Sequence, residues 1–291
     1  MSSEESLFLP AGRAAADGFD VRVTPESAGW AYSGLRVLTL PAGGARTVAT
    51  GADELIVLPL QGSAVVECSG QTITLQGRPN VFAGPSDFAY VPIGSEVRLH
   101  SAGGGRFALA GARTDRELPL RYVPRDDVAV ELRGAGQCSR EVRNFGTADA
   151  FDAGALIACE VVTPGGNWSS YPAHKHDEAS EIEAELEEIY YFEIASGPDG
   201  QPGFGFHRTS SSRAGAIDVL AEVHDGDTAL VPYGWHGPCV AGPGYDMYYL
   251  NVMAGPAAER AWLISDHPDQ TWVRDTWPDQ PIDPRLTGRA R

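Results

Sequence analysis

No stretch of about 18 uncharged apolar residues occurs in this 291-residue chain, so the sequence offers no membrane-spanning helix. The opening segment, MSSEESLFLPAG, lacks the basic and apolar regions of a signal peptide, and the expected location is the cytoplasm. Positive charge is scarce: 22 Lys and Arg stand against 39 Asp and Glu, a net charge of −17. A chain of that sign is poorly suited to phosphate backbones, so neither nucleic acid nor a membrane is an expected partner. Cysteine is scarce too. Cys68, Cys138, Cys159 and Cys239 are far apart, with no CxxC pair to suggest a thiolate site, and read as small buried apolar residues. There is no P-loop and no GxGxxG fingerprint.

What the chain does have is turn residues, 34 Gly and 21 Pro, scattered between short apolar runs. Such spacing predicts an all-β protein. In the first half LRVLTL (35–40), ELIVLPL (54–60), SAVVEC (63–68), DFAYVP (87–92) and RFALAGA (106–112) read as strands. In the second, ALIACEVV (155–162), EEIYYFEI (187–194), GFGFHR (203–208), TALVPY (228–233) and YDMYYLNVM (245–253) repeat the theme. The charged stretch 113–150 reads as an irregular connector, and DEASEIEAELE (177–187) as a short helix or an acidic surface loop. GPSDFAYVPIGS (84–95) resembles DGDTALVPYGWH (225–236), a weak internal repeat. The predicted organisation is therefore two copies of one barrel, residues 1–125 and 126–291, the second carrying a C-terminal tail. Trp262, Trp272 and Trp277 are read as pinning that tail.

Three of seven histidines fall in one pattern. His174 and His176 are one residue apart, so on an extended strand both imidazoles project to the same face. In LEEIYYFEI, period-2 alternation puts Glu188, Tyr190 and Phe192 on one face and Glu187, Tyr191 and Glu193 on the other. Glu193 suggests that the second face is partly wet. A carboxylate aimed into a barrel is costly unless it is paired or binds a metal, so Glu188 is the expected third ligand, with Glu187 the alternative. His236 follows the turn of GDTALVPYGWHG and completes a set of nitrogen and oxygen donors suited to Zn, Mn, Fe or Ni. The first copy has Ser95 and Glu96 at the corresponding place and no His-x-His, so its barrel is expected to lack a metal site.

The order His-x-His, Glu, then G-x5-P-x-G-x-His resembles the two cupin motifs, and implies two tandem cupin barrels with one divalent metal ion in the C-terminal one. Eleven residues separate His176 from Glu188, a departure consistent with an insertion at the barrel rim. GNWSSYPAHKHD, PGFGFHR, DGDTALVPYGWHGPCVAGPGYDMYYLNVMAG and RAWLISDHPDQTWV further resemble the 5-deoxyglucuronate isomerase family of inositol catabolism. The related 4-deoxy-5-hexosulose-uronate isomerases share the metal pattern. The resemblance implies a metal-dependent aldose–ketose isomerase that converts 5-deoxy-D-glucuronate to 5-dehydro-2-deoxy-D-gluconate through an enediol. A cupin dioxygenase and a non-catalytic sugar-acid binding cupin are the rival readings. The expected partner is a small sugar acid, with a homo-oligomer possible in principle. For its carboxylate Arg208 is the better candidate; Lys175 is the second, although between the two histidines a regular strand would point it away from the metal. Tyr190 is a candidate for proton movement, and Tyr249 and Asn251 for contacts to substrate hydroxyls. His207 is read as packing.

Overall fold

Short apolar runs broken by Gly, Pro and Asn propagate strands rather than helices. The computed structural model, which describes residues 7–287, is built almost wholly of antiparallel strands. Its α-helices, such as Pro25–Ala28 and Trp272–Asp275, span four residues each. No helix among the described residues is long and apolar enough to cross a membrane.

The first half forms a nine-stranded sheet closed around its own core. Its spine is one 16-residue strand, Asp53–Cys68, where two shorter strands were predicted. Register shifts between Pro59 and Gln61 and between Gly62 and Ala64 let it bend. Its first part pairs with Phe88–Val91 and its last with Glu96–Ser101, which closes the barrel. The interior is apolar, filled by Leu38, Leu55, Val57, Leu99, Phe107 and Leu109 among others.

The second half repeats this plan with two sheets. A seven-stranded sheet runs from Phe8–Leu9 through Thr228–Val231, Glu187–Ile194, Met247–Ala254, Ile157–Thr163 and Arg140–Gly146 to Ala129–Arg133. A six-stranded sheet containing Asp218–Val223, Gly205–Ser210, Trp235–Ala241 and His174–Lys175 belongs to the same half. The stretch 113–150 is thus no irregular connector. It contributes Ala129–Arg133 and Arg140–Gly146 to the larger sheet, because VAVELR and REVRNF alternate well enough to pair despite their charge. Phe8–Leu9, from the chain's start, pairs with Thr228–Val231 and so joins the sheet of the other half.

Strand register makes the internal repeat explicit. Leu55, Ile56 and Val57 face Val91, Tyr90 and Ala89, as Glu188, Ile189 and Tyr190 face Val231, Leu230 and Ala229. Leu55 therefore stands where the second copy has Glu188. The halves meet through a shared core in which Leu35, Ile56 and Ala110 pack with Ile189, Tyr191, Leu250 and Val252. The face of the Glu187–Ile194 strand that holds Ile189 and Tyr191 is accordingly not wet. Glu193 is buried on it and paired with Arg106 at 2.6 Å, so the carboxylate marks a contact between halves rather than solvent.

Candidate metal centre

The other face of that strand points Glu188, Tyr190 and Phe192 into the second barrel. His174 lies directly across from His236 on neighbouring antiparallel strands. His236 follows the strand Thr228–Val231 and its turn, as expected, and lies near the start of the next strand, Trp235–Ala241. It is bracketed by Gly234 and Gly237, both at positive φ, where a side chain would be strained. A Cβ at Gly237 would also come within 1.8 Å of the Ser170 carbonyl oxygen, so this close approach requires glycine.

These elements bring His174, His176, Glu188 and His236 together, all buried, with one donor atom from each within 4.8 Å of the others. Nδ1 of His176 donates to the Leu186 carbonyl at 2.9 Å, and Nδ1 of His236 to the Gly234 carbonyl at 2.9 Å. In a neutral ring the remaining Nε2 is then a bare lone pair. Both Nε2 atoms face Glu188 Oε2, at 2.9 and 3.1 Å, and that of His236 is buried with no hydrogen-bond partner. Lone pairs aimed at a carboxylate repel one another unless a positive charge lies among them. A proton on an imidazole can supply it; so can a divalent cation, for which three imidazoles and one carboxylate are a fitting donor set. The group can hold a metal. Burial pushes the His174 imidazole well below the usual histidine range, so it stands ready as a neutral ligand. Burial alone would raise Glu188, but the His176 and His236 imidazoles outweigh it and hold the carboxyl far below its ordinary value. Cys239 and Cys159 are close by, yet burial pushes both thiols up, and they stay protonated.

The cluster opens on a cavity of about 260 Å³ whose wall includes His174, Glu188, Tyr190, Tyr249 and Asn251. The hydroxyls of Tyr190 and Tyr249 lie 3.3 and 3.2 Å from Ser170 Oγ. Burial raises both phenols well beyond their ordinary range, so each keeps its proton near neutral pH and can donate it in a hydrogen bond.

Two expected contacts are corrected. Arg208 is in phase with Phe206, as read from sequence, but that face is the outer one. The buried His207 and Thr209 occupy the inner face, and the Arg208 guanidinium is held by Asp218 and two carbonyls. Lys175, the chain's single lysine, points away from the cluster. Its ammonium lies 2.7 Å from Asp177 and 2.7 Å from Glu183 and is already neutralised. Glu187 is not near the cluster either; it accepts from the backbone amides of Ala31, Tyr32 and Ser33. His207 bonds Thr209 Oγ1 at 3.0 Å and packs beside Tyr190. The cations that do line the cavity are Arg133, Arg140 and Arg274, joined by Trp262. The sequence reading missed the first two because their strands were taken for a connector, and Trp262 because it was assigned to the tail. The alternation of VAVELR and REVRNF was the signal available.

A family model described as the KduI/IolB family matches residues 7–273. The 5-deoxy-glucuronate isomerase of Geobacillus kaustophilus is 38% identical over 275 residues, covering 93% of this chain and 96% of the relative. The protein of the same name from Bacillus subtilis strain 168 is 32% identical over 254 residues, covering 86% and 91%. Among solved structures, an IolB-like protein from Salmonella typhimurium LT2 superposes with a TM-score of 0.83 at 31% identity, over 92% of this chain and 98% of that one. An oxalate decarboxylase from Lactobacillus farciminis shares the fold, with a TM-score of 0.61 at 13% identity, covering 89% and 88%.

Proposed function

The chain belongs to the KduI/IolB family, and on that footing we propose that it is a 5-deoxy-D-glucuronate isomerase. It is an intramolecular oxidoreductase that moves hydrogen from C2 to C1, turning an aldehyde with a neighbouring hydroxyl into the corresponding ketone. His174, His176, Glu188 and His236 are the proposed ligands of one divalent ion, Zn, Mn, Fe or Ni. Such an ion would supply Lewis acidity, stabilising negative charge on substrate oxygen and acidifying the adjacent C–H. The observation that carries this reading is that His174 and Glu188 belong both to the lone-pair cluster and to the wall of the 260 Å³ cavity. A bound carbonyl can thus meet the donor set directly.

The protein's own groups account for the rest. Tyr190 and Tyr249, held protonated by burial and linked through Ser170, donate to substrate oxygen as charge builds on it. The apolar wall, including Val142, Val161 and Ile264, limits water around the reacting carbons. No redox cofactor is required, since the substrate is oxidised at one carbon and reduced at the next. The proposed place of action is the cytoplasm.

The direct test follows 5-deoxy-D-glucuronate by proton NMR in D₂O with protein of assayed metal content, beside a His174→Ala/His236→Ala variant. The expected result is conversion to the ketose by the native protein alone. A folded, metal-loaded native sample that leaves the sugar unchanged would overturn the substrate assignment.

A further inference from the structure

Arg133 and Arg140 sit directly opposite each other on paired antiparallel strands. Like charges in that register destabilise a sheet. A third guanidinium, Arg274, lines the same cavity. In a chain of net charge −17, three cations converging on one pocket are a local feature and not the reflection of a basic protein. Two of them are neutralised. Arg133 donates to both oxygens of Glu131, at 3.1 and 2.7 Å, and Arg274 to both oxygens of Asp266.

Arg140 is different. It is 6% exposed, and among the described residues no carboxylate pairs with it. Its Nη1 donates to the Cys138 carbonyl at 3.0 Å, and its guanidinium lies 5.6 Å from the Trp277 ring centroid. A buried, unpaired guanidinium is costly and persists where something outside the fold completes it. Burial and the neighbouring arginines pull it down only to about 10, so it remains charged at neutral pH.

Two further donors on the same wall point to the same kind of ligand. Asn251 Nδ2 and Trp262 Nε1 are both buried and have no acceptor. Together these groups ask for a molecule with one negative charge and several oxygen acceptors. We propose that Arg140 is the anchor for the substrate carboxylate, assisted by Asn251 and Trp262, so that it sets specificity for sugar acids over neutral sugars. This rests on the isomerase reading for the identity of the substrate and adds the end by which it is held. The Arg140–Gly146 strand is three strands from Glu187–Ile194 in the sheet, roughly 14 Å at the usual strand spacing. That separation allows the carboxylate to lie on Arg140 while the carbonyl end reaches His174 and Glu188.

The test uses D-gluconate and gluconamide, which share a carbon skeleton, differ in charge and have no carbonyl to isomerise. Both are titrated calorimetrically into metal-loaded native protein, Arg140→Gln and Arg140→Lys, and the melting temperature of each is recorded. Native protein should bind gluconate about 10- to 100-fold more tightly than the amide. Arg140→Gln should abolish that preference while leaving its melting temperature unchanged or raised, because an unpaired buried charge has been removed. Arg140→Lys should retain part of the preference, and it serves alone if the glutamine variant does not fold. Native protein without a preference for gluconate, an Arg140→Gln variant that keeps the preference, or an Arg140→Lys variant with the preference undiminished would overturn the proposal. Neither ligand can be turned over, so these outcomes are independent of whether 5-deoxy-D-glucuronate is isomerised.

Discussion

At the scale of single residues, Glu188 carries the most consequence. Its first-copy counterpart is Leu55, which sits in the same register and the same interior position. A leucine there is an ordinary core side chain; a carboxylate there demands a positive partner. Glu188→Gln preserves shape while removing the charge that would balance a divalent cation held by the four residues. The expected outcome is loss of most bound divalent metal after dialysis, read by elemental analysis, with unchanged far-UV circular dichroism. Retention of stoichiometric metal would remove Glu188 from the ligand set. Tyr190 makes a contrasting case, since its hydroxyl touches Ser170 and no ligand atom. Tyr190→Phe should keep its metal and lower kcat about 10²-fold, as the loss of one donor to a developing oxyanion does. Steady-state kinetics on the metal-assayed variant checks this.

Among the elements, the segment between His176 and Glu188 is the informative one. An acidic run of this length was compatible with a helix, yet it forms a loop wrapped around one buried ammonium. Glu183 accepts from Lys175 at 2.7 Å and from the backbone amides of Asp177 and Glu178, while Asp177 accepts from Ser212 and from the Gly234 amide. The loop thereby ties the segment His174–His176 to the turn preceding His236. Burial alone would raise Asp177 and Glu183, but the Lys175 ammonium outweighs it and holds both carboxyls below their ordinary values. Depressed carboxyls stabilise the fold fully above their unfolded values, about 4. That contribution is lost as pH falls through their lower folded values. Amide hydrogen exchange of residues 177–186 should therefore accelerate below about pH 4 before the strands open. Lys175→Met should produce the same local opening at neutral pH, because two buried carboxylates lose their cation.

For the whole molecule, what matters is how the two barrels are joined. Glu54 accepts from Tyr90 and from the amides of Gly154, Ala155 and Leu156 in the second half. Glu187, its counterpart in the repeat, accepts from the amides of Ala31, Tyr32 and Ser33 in the first. Each barrel thus grips a loop of the other with the same strand position, a reciprocal arrangement expected of duplicated units packed back to back. A buried ion pair, Arg78 with Glu160, also links the halves, supported by Tyr248 at 2.7 Å and Arg143 at 3.8 Å. Removing one partner of such a pair leaves a charge buried. Since Arg143 still faces Glu160, Arg78→Met should cost about 3 kcal/mol, the low end of the roughly 3–5 kcal/mol lost when a buried pair is broken. Urea denaturation measures it, and one cooperative transition is expected because the barrels share a core. A loss below about 0.5 kcal/mol would mean that the pair does not hold the halves together.

The sequence alone carried the all-β class, the duplication and the four candidate ligands, because each rests on short-range order. Period-2 alternation sets which side chains share a face, and turn residues set where strands end. His174, His176, Glu188 and His236 stood out because polar groups in apolar strands are conspicuous without knowledge of their neighbours. Only tertiary structure decided which face was inward: Arg208 was in the right phase on the wrong side, and Glu193 lay between barrels rather than in water. Cross-strand register alone placed Arg133 opposite Arg140, and pairing alone revealed that Arg140 has no carboxylate. Local sequence fixes a side chain's direction relative to its own backbone; what lies in that direction depends on segments a hundred residues away.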